Sequence, residues 1–372
     1  MKVAIVCDWL VGIGGAERVV YELHQLYPKA PIYTSQFNPN KIDWFNDADI
    51  RTTWLQTLPS SLKKFLPLLR AWTFSHLDLS EYDLVISSSG AEAKGIKTGP
   101  KTLHICYMHS PTQYYWIRKD EYLKKPGFPK GFNWLAKLGL KILIGPLKTW
   151  DKQAAKRPDF IITNSNYTKD NIKKIYKIEA FVIYPPIEVN RFKITGTPPL
   201  RHGLVIAGRQ TPYKKIDLAI EACNDLKVPL VVIGDGPDHK RLEKLAGRQT
   251  TFLTNVKDSE MPNHFQSSLA FIMPNADDFG IVAVEAMAAG TPVIAYNKGG
   301  SADYMIQNKT GVLFEKQTVK SLTKAIETAI NKNFDYDFIA KHAQQFSAEV
   351  FRKNIKQFIE TNYKEATKNV TQ

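Results

Sequence analysis

Residues 274–290 read PNADDFGIVAVEAMAAG, and the fold of the chain turns on how this stretch is read. The apolar run from Leu269 to Met273 ahead of it has the length of a buried strand. Asp277-Asp278-Phe279-Gly280 reads as the turn after that strand, and a helix of small residues starts near Ile281. Free backbone N–H groups at such a start, with the positive end of the helix dipole, favour a phosphate or another anion. Asp277 on the turn and Glu285 one turn into the helix are placed to hold hydroxyls of a sugar or ribose. The alternative is that Asp277 and Asp278 cap the helix while Glu285 is solvated.

Outward from this junction the same rhythm repeats. Runs at 203–209 (GLVIAGR), 229–234 (PLVVIG), 251–254 (TTFL) and 291–296 (TPVIAY) each lead into a turn, so five strand-to-turn junctions fall on one edge of a parallel sheet. Arg209 and Lys214 project from the first of those turns. A forked guanidinium and a point-charge ammonium at that spacing suit one diphosphate; a solvated turn is the other reading.

The first half opens with a strand at 2–7 (KVAIVC), a loop carrying Gly14 and Gly15, and an amphipathic helix from Ala16 to about Leu26. Further strand-like runs lie at 83–87, 102–107, 160–163 and 180–183, which argues for a second parallel α/β sheet. GIGGAER falls short of GxGxxG, and no acidic residue ends a second strand, so a dinucleotide is not expected. The two glycines either let amides approach a phosphate or serve a tight turn. His109, in MHSPTQYYW, stands at the expected carboxyl end of a strand, where such sheets bind ligands, although a structural histidine would look the same. The stretch 187–203, rich in Pro, Gly, Thr and charge, reads as a linker. The expected layout is therefore two Rossmann-like doubly wound domains facing a cleft, at 1–190 and 191–345, with a final amphipathic helix within 346–372 that has no sheet left to join.

Length supports the division, since 372 residues exceed what one core usually serves. Cys7, Cys106 and Cys223 are widely spaced and odd in number, which indicates neither a disulfide framework nor a zinc cluster and fits a reducing compartment. MKVAIVCDWL is too short in its apolar run and too acidic for a signal peptide, and no apolar stretch reaches the roughly 18 residues of a spanning helix. The net charge of +14 is uneven: basic residues outnumber acidic ones by 28 to 17 over residues 1–197 and by 22 to 19 over 198–372. Such a field suits nucleic acid, an anionic membrane or a phosphorylated acceptor. Two basic segments, Leu58 to Phe74 and Phe128 to Trp150, mix aromatic and aliphatic residues with lysines, six of them and no acid between Lys124 and Trp150. They read either as a monotopic membrane contact or as core helices with lysines on the wet side. Nucleic acid is not expected, because long aliphatic runs dilute the basic residues and no recognised module occurs.

GRQTPYKK, VIGDGP, DDFGIVAVEAMAAGTPVIA and the opening GIGGAERV together resemble the retaining family 4 glycosyltransferases of GT-B fold, over nearly the whole chain. CDWLVGIGGAERV, YDLVISSS, HICYMHSP and IYPPIEVNRF are similar to the branch holding mannosyltransferases of O-antigen and exopolysaccharide assembly. The resemblance implies that Arg209 and Lys214, beside Gly208, hold the donor diphosphate and that Glu285 holds the nucleotide ribose. It implies that Asp278, Phe279, Gly280 and Ile281 meet sugar and phosphate through their amides, that Val256 lies where the base sits, and that Gly14 and Gly15 lie near phosphate and acceptor. His109 then stands beside the sugar and reaction centre, and the final helix crosses back to the N-terminal domain. Asp277 occupies a place where the family usually has glutamate, one methylene longer. His109, Arg209, Lys214 and Asp277 form the expected catalytic set.

The implied reaction is transfer of a hexose, mannose from GDP-mannose, to a lipid-linked glycan or oligosaccharide at the cytoplasmic face of the cell membrane, the enzyme resting there peripherally. The two carboxylates share one turn and helix and so cannot flank a glycosidic bond as a hydrolase's do. No DxD follows a buried strand, and Asp335-Tyr336-Asp337 reads as a cap, so no metal or cofactor is expected beyond the nucleotide sugar. Rival readings are a UDP-sugar-dependent hexosyl or N-acetylhexosaminyl transferase, a nucleotide-sugar epimerase of the same fold, and a non-catalytic sugar-nucleotide-binding protein.

Overall fold

Short runs of consecutive apolar residues become fully buried strands when helices cover both faces of a parallel sheet. Val3–Cys7 (β1), Leu84–Ser89 (β4), Leu103–Met108 (β5) and Ala270–Met273 (β11) are buried along their whole length. The computed structural model describes residues 1–58, 66–117, 133–193 and 199–370. They divide into two compact units, Met1–Tyr184 with Phe351–Gln372, and Pro185–Val350.

The first unit's sheet adds Ile32–Thr34 (β2), Ile50–Thr52 (β3), Phe160–Thr163 (β6) and Phe181–Val182 (β7). Its order is β3-β2-β1-β4-β5-β6-β7, with every pair parallel. The second unit holds Leu204–Ala207 (β8), Leu230–Ile233 (β9), Thr250–Leu253 (β10), β11, Val293–Tyr296 (β12) and Gly311–Phe314 (β13), in the parallel order β10-β9-β8-β11-β12-β13. In each sheet the strand order reverses beside the unit's first strand, between β1 and β4 and between β8 and β11. The loops leaving those strands diverge there and open a crevice at their carboxyl ends.

The helix Ala348–Val370 packs on the first sheet's core. Its Phe351, Ile355 and Ile359, four residues apart, are buried among β1, β4 and β5 side chains, and Arg352 pairs with Glu22. The stretch read as a linker is in fact built into the second unit up to Phe192. Ile187 bridges to Ser347, and Val189 and Phe192 are buried.

The basic segments fall partly at 59–65 and 128–132, outside the described residues. Where they are described, Leu66–His76 and Asn133–Ala154 form helices tied down by a buried polar network. Arg70 pairs with Glu92 at 2.7 Å and Lys94 with Asp151 at 2.7 Å, while Trp116 and Tyr176 also donate to Asp151. Trp54 and Trp72 remain about half exposed, ring centroids 6.3 Å apart. No helix among the described residues is long and apolar enough to cross a membrane.

Candidate active site

The site in the second unit is shaped by backbone that only glycine permits. β8 ends at Ala207, and Gly208 follows with φ +142°, a region side chains avoid. A Cβ on Gly234, after β9, would lie 2.4 Å from the Gly208 carbonyl oxygen, so the two loops touch through bare backbone. Gln210, fully buried, locks them: its N–H donates to the Asp235 carbonyl at 2.9 Å and its Nε2 to the Gly234 carbonyl at 2.6 Å. The chain then turns through Pro212–Lys214 and delivers the Lys214 ammonium to Asp277, Nζ to Oδ2 2.6 Å.

From the other side, β11 runs into Pro274 and Asn275, and Gly280 (φ +88°) starts the helix Ile281–Ala288. A Cβ on Gly280 would meet Met273 Sδ at 2.7 Å and the Tyr304 hydroxyl at 2.9 Å. Phe279 is buried between the rings of Tyr304 and Phe346. The Gly300 N–H donates to the Asp277 carbonyl at 2.8 Å, and a side chain on Gly300 would strike Phe279 Cα at 2.4 Å, which explains the glycine pair after β12. The Asp277 carboxylate does not cap this helix: Gly280 stands at the cap without a side-chain bond, and Asp277 reaches Lys214 instead. The amides of Ile281 and Val282 are left without a hydrogen-bond partner among the described residues.

Gly208, Lys214, Asn275, Asp277, Gly280 and Val282 line one recess together with the apolar Ile206, Phe271 and Ile272. It lies at the β8–β11 reversal, and Asp278, Phe279 and Ile281 belong to the same turn and helix start. Arg209, in contrast, is exposed, does not line the recess, and pairs with no described residue, so of the two basic residues expected at a diphosphate only Lys214 lines the recess. Val256 stands half-buried beyond β10 and likewise outside the recess. Glu285 is not solvated: it is 7% exposed and faces Arg191, Nη2 to Oε1 3.6 Å.

In the first unit Gly14 caps the helix Gly15–Leu26, where a Cβ would sit 2.8 Å from Glu17 Oε2. Burial pushes the Glu17 carboxyl up to about 7, next to this loop. His109 follows β5 and is half-buried, its N–H donating to the Ser89 carbonyl and its Nε2 2.8 Å from Ser88 Oγ. Burial pulls its pKa down to about 4, so at neutral pH it is an uncharged imidazole, able to orient a hydroxyl and unable to supply a cation to a phosphate.

The two halves of the chain match two family models, "Glycosyltransferase Family 4" over residues 13–191 and "Glycosyl transferases group 1" over residues 191–360. The chain belongs to the glycosyltransferases of GT-B fold. Sucrose-phosphate synthase of Thermosynechococcus elongatus superposes with TM-score 0.72 over 98% of this chain and 100% of its own at 17% identity, a likeness of fold. The GDP-mannose-dependent alpha-(1-6)-phosphatidylinositol monomannoside mannosyltransferase of Mycobacterium tuberculosis is 28% identical over 45% of this chain and 51% of its own length. Alpha-1,3/1,6-mannosyltransferase ALG2 of Candida glabrata is 24% identical over 100% of this chain and 94% of its own. The chain spans about half the length of several curated relatives it matches.

Three residues of this glycosyltransferase escape a sequence reading. Gln210 looks like one more turn residue, and Arg191 sits in the stretch read as a linker. Asn275 passes for a turn former, yet it is 3% exposed, lines the recess, and its Nδ2 has no partner among the described residues. A buried amide without a partner is a costly arrangement that a ligand would relieve.

Proposed function

We propose that the protein transfers mannose from GDP-mannose, with retention, to a lipid-linked glycan or polysaccharide at a membrane surface. The observation that carries the reading is the recess at the β8–β11 reversal, where an ammonium, a carboxylate and unpaired helix-start amides converge. The helix-start amides and Lys214 suit the donor's diphosphate; the Asp277 carboxylate suits sugar hydroxyls. The mannosyl relatives support the sugar, and the mycobacterial name supports both the nucleotide and a lipid acceptor.

In this reading the bond from the sugar's anomeric carbon to the β-phosphate oxygen breaks and a bond to the acceptor oxygen forms on the same face. The departing phosphate takes the acceptor's proton. The protein contributes positioning and charge: Lys214 shifts its ammonium from Asp277 towards the leaving diphosphate, Arg209 swings in from its exposed position, and neutral His109 orients sugar or acceptor hydroxyls. Glu285 holds the ribose, Val256 flanks the base, and Gly14 and Gly15 admit the acceptor end. Half-exposed Trp54 and Trp72, which flank Lys63 and Lys64 in the sequence, suit contact with an anionic lipid surface.

Incubation with a panel of GDP- and UDP-sugars, with the product's anomeric configuration read by NMR, tests the proposal. Turnover with none of the donors defeats it, an inverted product removes retention, and altered free donor without acceptor identifies an epimerase. Failure to sediment with anionic vesicles at low salt removes the membrane contact.

A further inference from the structure

Arg191 comes from the short turn Val189–Phe192, whose Val189 and Phe192 side chains are 2% and 0% exposed and fix its place in the second unit. Its guanidinium lies over the Phe192 ring, 4.7 Å from the centroid. From there its two terminal nitrogens diverge. Nη2 reaches Glu285 Oε1 at 3.6 Å, and Nη1 donates to Asp258 Oδ2 at 3.0 Å. Glu285 is buried on its helix, where a carboxylate requires a compensating charge. Asp258 belongs to the loop after β10, two residues beyond Val256, and its side chain is 71% exposed. One planar fork therefore ties the 281–288 helix to the loop at the end of the neighbouring part of the sheet.

We propose that Arg191 is a positioning residue for the nucleoside half of the donor, holding the ribose carboxylate Glu285 and the base loop at 255–258 at a fixed separation. The inference rests on the donor reading above, in which Glu285 meets the ribose and Val256 the base. It follows that Arg191 acts on nucleoside recognition and not on diphosphate recognition, because Lys214, Gly208 and the helix-start amides line a recess in which Arg191 takes no part. A lysine would place one point charge where a fork spans two carboxylates, so it replaces the function only in part.

Calorimetric titration of the full chain with GDP, with UDP and with inorganic pyrophosphate tests the assignment. If the wild type binds neither nucleoside diphosphate, the donor reading itself falls. Where it binds one, Arg191→Ala weakens that ligand about ten- to a hundredfold, in keeping with loss of one charged hydrogen bond and one ion pair. Pyrophosphate binding stays within about twofold, and Arg191→Lys recovers part of the loss. Unchanged nucleoside diphosphate binding in Arg191→Ala overturns the inference, as does an equal loss of pyrophosphate. Should Arg191→Ala fail to fold, Asp258→Ala cuts the same bridge at its exposed end. It is expected to weaken the nucleoside diphosphate about threefold or more, and unchanged binding overturns the inference equally.

Discussion

The two strand-order reversals of this molecule are built alike and used differently. Beside β1 and β4, Asp8 is 7% exposed, and its carboxylate accepts hydrogen bonds from the backbone N–H groups of Gly90 at 2.7 Å, Ala91 at 3.0 Å and Ala93 at 2.7 Å. Beside β8 and β11, Asp277 is about one-fifth exposed and faces a single lysine ammonium. The first carboxylate saturates the amides of the adjacent loop. The second leaves amides unpaired and holds a cation that an incoming anion can draw away. The same topology thus yields a junction of satisfied amides in one unit and one with open amides in the other, and the difference lies in what the acid is bonded to.

The largest effect expected from breaking this contrast is on stability. Asp8→Ala removes an acceptor from three backbone N–H groups, of which that of Ala91 keeps Ser89 Oγ, and should lower the first unit's resistance to urea by about 2 kcal/mol or more; a loss no greater than a surface substitution gives would remove this role. Next comes Lys214→Ala, which should reduce turnover about a hundredfold with little change in melting temperature. Asp277→Asn should follow the same pattern more mildly, and a melting loss comparable to that of Asp8→Ala would erase the distinction. Asn275→Ala sharpens the picture of the open junction: about a tenfold rise in KM for the donor is expected, and wild-type kinetics would show that its amide meets no ligand.

The smallest effect is a pH dependence. Burial holds His104 down to about 3 and His109 to about 4, below the ordinary histidine value of about 6.5. Both are neutral in either state above that value, so their contribution is constant there. As pH falls from about 6.5 towards 4 the unfolded chain takes up protons that the folded chain refuses, and stability declines. Glu17, raised to about 7, works in the opposite sense, binding its proton more tightly when folded and removing stability as pH rises from about 4.5 to 7. Urea midpoints at several pH values should therefore fall more steeply on acidification in Glu17→Gln than in the wild type, and less steeply in His104→Asn. Identical slopes in all three would contradict the burial of these groups.

Much of the second sheet is legible because its strands are apolar runs that end at turn residues, each detectable within a few positions. Of the strands that escaped, β2 and β3 are three residues long and β3 is largely exposed, leaving no run to detect, whereas β13, GVLF, is as apolar and as long as its neighbours. The site shows the same boundary. Lys214, Asp277 and Gly280 are readable from their places on two strand-to-turn junctions. Arg191 is not, because its carboxylate partners belong to elements distant in the chain, and Asn275 is not, because an unpartnered amide exists only relative to its surroundings. The choice between cap and ligand holder at Asp277 was likewise open in the sequence, and the position of one ammonium speaks against the cap.

The helix that closes over the first sheet through Phe351, Ile355 and Ile359 follows the entire second unit in the chain. A polypeptide emerging from the ribosome therefore makes most of its earlier lobe first yet cannot seal that lobe's greasy underside until the later lobe has been translated. Clipping the chain just before Phe351 should accordingly wound the half that was synthesised earliest and spare the half next to the cut.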